Sequence, residues 1–130
     1  MMKSNSKLLL IVGLLTASVF VLVFFLMPKS TARTDLGPFA KCISDTGAKF
    51  YGTFWCPHCQ NQKKMFGTAK SDLPYVECST ADGKGQLAVC TEAGIESYPT
   101  WKFSDGSILT GELPLEDLAS KTNCSLPVKE

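Results

Sequence analysis

Hydrophobic positions divide the chain into two unlike parts. From Leu8 to Met27 it reads LLLIVGLLTASVFVLVFFLM, 20 residues without a charge, enough helix to cross a hydrocarbon core about 30 Å thick. Beyond Thr34 the apolar residues come in short groups instead. Phe39, Ala40 and Ile43 recur at helical spacing within Pro38–Thr46, and Gly47 ends that segment. Lys49–Phe54 reads as an aromatic-rich strand. Pro57 stands where a helix would begin, its missing N–H being no loss at a first helical position, and the helix is predicted to run to about Ala69. Tyr75–Cys78 reads as a second strand. Gly83-Lys84-Gly85 then interrupts the chain before a helical stretch, Gln86–Ala93, with Leu87, Cys90 and Ala93 on one face and Gly94 closing it. Thr100–Ser104 and Ser107–Thr110 flank Asp105-Gly106, a two-residue hairpin signal. Leu115–Lys121 is a last helix, with Glu116 and Asp117 in the first turn where the helix dipole favours carboxylates.

These elements give a basic N-terminus (1–7), a transmembrane helix or signal h-region (8–27), a polar linker (28–37) and one domain (38–126). Ten linker residues reach at most about 33 Å, which would keep the domain close to a bilayer. The apolar stretch exceeds the usual 7 to 15 residues of a signal h-region, which favours a retained single-pass anchor. Ser30-Thr31-Ala32, just after Pro28, has the small residues of a cleavage site, so secretion after cleavage near Ala32 stays open. Either way, a short basic N-terminus before a first apolar segment stays inside. The domain is therefore expected on the extracytoplasmic side, in a periplasm, outside the cell or in an organelle lumen.

Charge sharpens the division. Lys3, Lys7, Lys29 and Arg33 precede Thr34; the other nine bases and all 12 acids follow it, so the total of +1 hides a domain at −3. No basic run interleaves with aromatics, which argues against a nucleic-acid surface. Six cysteines in a short exported chain imply pairing, and the even count permits three disulfides.

The chemistry concentrates in Trp55-Cys56-Pro57-His58-Cys59, directly after the predicted aromatic strand. A Cys-x-x-Cys can be half of a zinc site. No second such pair exists here, and His58 is the only histidine, so no metal site is expected. As a redox pair the spacing makes sense. Cys56 would cap the helix, with orphan N–H groups and the positive dipole end aimed at its sulfur. His58 adds a donor that can become cationic, and both effects favour the thiolate that attacks disulfides. Cys59, inside the first turn, would be the shielded resolving thiol. Stabilising a thiolate stabilises the reduced form and makes the disulfide a better oxidant, and a Pro57-His58 pair is similar to that of periplasmic disulfide-forming oxidants.

The element order, with WCPHC opening the second domain helix and Tyr98-Pro99-Thr100 about 40 residues later, resembles the thioredoxin superfamily. Within it the chain most resembles the thioredoxin-like domain associated with bacterial and plant homologues of vitamin K epoxide reductase. Gly47–Lys49, Tyr51–Lys63, Tyr75–Cys78 and Ala93–Trp101 carry the likeness. It implies an α/β fold, a central mixed sheet flanked by helices, here preceded by one N-terminal transmembrane helix. It implies a cis peptide before Pro99, facing the cysteines, so that the Tyr98 backbone can pair with an extended substrate while Trp55 and Tyr98 form an apolar docking surface. Cys78 and Cys90 occupy matching positions in that family and are expected as a structural disulfide, which leaves Cys42 and Cys124 for each other. Buried free thiols, a second redox pair at Cys78 and Cys90, and intermolecular bridges from Cys42 or Cys124 stay open. One departure stands out: thioredoxin has a buried aspartate where this chain has Phe50. Glu77 is then either the proton route for Cys59 or a surface carboxylate.

The expected function is that of an exported, membrane-anchored thiol-disulfide oxidoreductase acting on protein thiols and disulfides without a cofactor. It would form disulfides, with Cys56 and Cys59 as the redox-active pair, and be reoxidised by a quinone-linked membrane partner resembling vitamin K epoxide reductase. The same domain could run in reverse as a reductant for exported proteins, for example in cytochrome c assembly. From another class, Cys56, His58 and Cys59 could carry copper(I), although a proline packed over the thiols would hinder the metal. An interaction module without catalysis makes no use of the two motif cysteines.

Overall fold

The computed structural model describes the backbone of residues 6–26 and 34–127, with side chains of 10–22 in the first segment and of all of the second. Most of the expected basic N-terminus and linker, with the cleavage position near Ala32, lies outside the described residues. The chain divides into two units, Met1–Arg33 and Thr34–Glu130.

In the first unit Ser6–Leu26 forms one helix, α1, of 21 residues. Among the described residues no helix is long and apolar enough to cross a membrane. The side chains described on α1 run from 10 to 22, about 20 Å of helix.

The second unit follows the order α2 (Gly37–Asp45), β1 (Lys49–Gly52), α3 (Pro57–Met65), a 3-10 turn (Gly67–Asp72), β2 (Tyr75–Glu77), α4 (Ala88–Glu92), β3 (Thr100–Lys102), β4 (Ile108–Thr110) and α5 (Leu115–Thr122). The strands lie in the order β2-β1-β3-β4. β1 runs parallel to β2 and antiparallel to β3, which pairs antiparallel with β4. This mixed four-stranded sheet flanked by helices fits a thioredoxin-like fold.

Strand alternation sends side chains to opposite faces and so makes two cores. Phe50 faces the larger one, stacked on Trp101 at 4.7 Å, with Phe39, Ile43, Phe66 and Leu118 around it. Tyr51 and Val76 face the smaller, built on Cys78, Cys90 and Ile95. Cys42–Cys124 joins α2 to the residues after α5, and Cys78–Cys90 joins the end of β2 to α4.

Four elements of the second unit differ from the hydrophobic pattern by more than one residue, β3 among them, which stops at Lys102 rather than Ser104. β1 stops at Gly52 rather than Phe54, because Gly52 is the last residue paired with β2 and Phe54 turns out to solvent. α3 stops at Met65, not Ala69, because Gly67 takes a φ of +56°, which leaves the helical register and tightens the chain into a 3-10 turn. The helix expected over Gln86–Ala93 shortens to α4. Of its predicted face only Cys90 is buried, while Gln86 bridges to Ser79 in extended form.

Candidate functional site

β1 delivers the chain to the site. After Gly52 the segment Thr53–Trp55 turns, and Cys56 caps α3 with φ −75° and ψ 117°, extended backbone that leads into Pro57 at the first helical position. The Cys59 N–H donates to the Cys56 sulfur at 3.4 Å, so the cap is the thiol itself. Facing it, the Tyr98-Pro99 peptide is cis, and the Cys56 thiol donates to the Tyr98 carbonyl at 3.9 Å. Of the six cysteines, only Cys56 and Cys59 are free. Cys56 is 5% exposed and Cys59 0%.

Cys59 owes its enclosure to Gly52. A Cβ at that position would stand 2.8 Å from the Cys59 sulfur and 3.0 Å from the Tyr75 ring, so a hydrogen atom is all the space allows. Burial pushes the Cys59 thiol up to about 12, helped by its hydrogen bond with Cys56, while the Thr53 backbone and Lys63 pull it down.

The turn ahead of Cys56 is held by Glu77. One carboxylate oxygen accepts from the N–H groups of Phe54 (3.2 Å) and Ser79 (2.9 Å), the other from the Tyr75 hydroxyl (2.8 Å). Glu77 is thus a half-buried brace between β2 and the motif turn, and among the described residues no hydrogen bond joins it to Cys59. The two aromatic side chains flanking the thiols are braced from residues 79–87. Trp55, 53% exposed, donates its indole N–H to the Ser79 hydroxyl at 2.9 Å and meets Tyr98 edge to face at 6.2 Å. Gln86 donates to the Tyr98 hydroxyl at 2.6 Å.

His58 departs from expectation. Its Nδ1 lies 2.5 Å from the Glu112 carboxylate, to which Asn61 also donates at 3.3 Å, and no hydrogen bond links it to either sulfur among the described residues. His58 and then Asn61 hold the Glu112 carboxyl below its usual range. The cause of this placement is Gln62, fully buried on α3, which donates to the Leu113 carbonyl (3.0 Å) and accepts from the Leu113 N–H (2.7 Å). That pair of bonds clamps the segment before α5 against α3 and sets Glu112 beside His58. Among the described residues no three His, Cys, Asp or Glu side chains gather so as to hold a metal ion.

Gln62, Lys63 and Glu112 were missed by sequence reasoning. Gln62 carried a signal, since it lies three residues after Cys59 on the buried side of a helix, where a polar residue must find partners. Glu112 carried none, because its role depends on a contact 54 positions away. Lys63 lies half-buried with its ammonium 3.2 Å from the centre of the Tyr75 ring. Burial lowers it from the usual lysine value, against the pull of Glu77 and Cys59.

No protein-family model matches the chain. Over 91 residues it is 46% identical to the thiol-disulfide oxidoreductase LTO1 of Arabidopsis thaliana, a match that takes in 67% of this chain and 24% of that protein. The chain thus spans about a quarter of the relative's length.

Proposed function

We propose that the domain is a thiol-disulfide oxidoreductase acting on protein thiols, with Cys56 and Cys59 as its exchanging pair. The observation that carries this is the state of Cys56, a free thiol capping α3 opposite the cis Tyr98-Pro99 peptide while the four outer cysteines are paired. The likeness to a protein named for that activity supports it. In the oxidising direction a substrate thiolate attacks the Cys56 sulfur of the Cys56–Cys59 disulfide, and Cys59 leaves and gains a proton. A second substrate thiolate then attacks the substrate sulfur of the mixed disulfide and expels Cys56 as thiolate, so two electrons pass from substrate to domain. Tyr98 offers backbone to an extended chain beside Pro99, and Trp55 offers apolar surface.

The uncharged stretch from Leu8 to Met27 supports an exported domain anchored in a membrane. Confinement there would raise the effective concentration of a quinone-linked partner resembling vitamin K epoxide reductase, which we propose as the source of oxidising equivalents. The reverse direction, reduction of exported proteins, draws support from His58, which turns to Glu112 rather than to either motif sulfur.

The test is a Cys59→Ala variant of the full chain in native membranes. It is expected to accumulate mixed disulfides through Cys56, a quinone-linked membrane protein among them, and none in a Cys56→Ser, Cys59→Ala double variant. Equal capture by the double variant would overturn the activity. A reduction potential of the pair near thioredoxin's, about −270 mV, would reverse the direction.

A further inference from the structure

Resting on that reading, we propose that Lys63 is the proton carrier for Cys59. Its ammonium protonates the Cys59 sulfur as that sulfur leaves the disulfide, and its amine takes the proton back when Cys59 attacks a mixed disulfide.

A sulfur as buried as Cys59 cannot exchange its proton directly with water, and the obvious groups around it are committed. Phe50, under the site in β1, has no proton to give. Glu77 spends its oxygens on Phe54, Ser79 and Tyr75, and His58 turns to Glu112. Lys63 comes one turn after Cys59, on the same face of α3. Its ammonium sits on the Tyr75 ring, and that ring and the Cys59 sulfur both press on Gly52. Among the described residues Lys63 makes no ion pair, so no carboxylate pins its charge. It also lines a cleft of about 490 Å³, with Lys64 and Lys70 on the walls, that opens to solvent. One side chain therefore lines the open cleft and rests on the ring that shares Gly52 with the enclosed sulfur. The titratable groups facing the pair are Cys56 at the cap of α3, Tyr75 and Glu77 on β2, and Lys70 on the 3-10 turn. Burial and Lys70 make the ammonium readier to give up its proton, and Cys59 and Glu77 oppose them.

The steps balance. A substrate thiolate bonds to Cys56, the Cys56–Cys59 bond breaks, and Cys59 takes both electrons and the Lys63 proton, which water replaces. In reverse, the neutral amine removes the Cys59 proton, the thiolate closes on Cys56, and the substrate leaves as thiolate.

Stopped-flow reaction of the reduced full chain with oxidised glutathione separates attack by Cys56 from resolution by Cys59. Lys63→Met and Lys63→Arg are both expected to slow resolution about 100-fold near pH 7, leave attack within about two-fold, and move the rise of the resolution rate to higher pH. Arginine keeps the stem and the charge but releases no proton. Resolution at the wild-type rate and pH profile in Lys63→Met, or rescue by Lys63→Arg, would overturn the proposal while leaving the exchange activity intact. Failure of a Cys59→Ala chain to form any mixed disulfide with glutathione through Cys56 would overturn both.

Discussion

Gln62 carries a backbone's duties with a side chain. Its amide closes the same two hydrogen bonds on Leu113 that a neighbouring strand would, in a place where no strand runs. Gln62→Leu keeps the volume and strands a buried N–H and C=O, at about 1–3 kcal/mol each. Urea unfolding should therefore show a loss of about 2–6 kcal/mol, read as a lower midpoint with unchanged slope. The Cys56 cap and Pro57 at the helix start were legible in the sequence because their geometry is local, a spacing and a proline, whereas the cis Tyr98-Pro99 peptide was expected only from the resemblance. Gln62, Lys63 and Glu112 were not, since what each does is decided by a partner on another element. Glu77 lies between. Its nearness to the motif followed from strand order, but only the geometry shows it holding a turn rather than reaching a sulfur.

At the scale of elements, the two disulfides divide stability from function. Cys78–Cys90 spans 12 residues and Cys42–Cys124 spans 82, so chain entropy assigns them about 3 and about 4.5 kcal/mol. The shorter one fixes both ends of the segment that braces Trp55 and Tyr98. Replacing Cys42 and Cys124 by alanine should give the larger fall in thermal midpoint with single-turnover exchange nearly unchanged. Replacing Cys78 and Cys90 should give the smaller fall and at least a several-fold slower exchange with a peptide dithiol; the reverse pattern would remove the brace from the account. Element type and order were readable from periodicity. Element lengths were less so, because apolar residues continue past the last paired residue of β1, and a single positive φ at Gly67 ends a helix whose pattern runs on to buried Ala69.

For the whole molecule, titration differs between the redox states. In the reduced chain the folded Cys59 thiol is held up to about 12, whereas an unfolded thiol ionises near about 8.5. A raised folded value contributes stability that is complete below the unfolded value and is lost as pH climbs toward the folded one. Thermal melts from pH 7 to 10 should therefore show the reduced form losing stability above about 8.5 by more than the oxidised form, which has no Cys59 proton. At the acid end Asp105, paired with Ser107 and Lys121, and Glu112, paired with His58, are held below the usual carboxylate range. Their contribution is complete above about pH 4 and lost as pH falls through their lower folded values. Asp105→Asn with Glu112→Gln should flatten that limb. The bond from Cys42 to Cys124 has a mechanical consequence. It closes a ring containing the whole sheet and both redox thiols, with the Cα atoms of its ends 5.9 Å apart. A pull between the two ends of the domain would load one S–S bond instead of the strands, and a single proteolytic cut inside the ring would leave one covalent molecule.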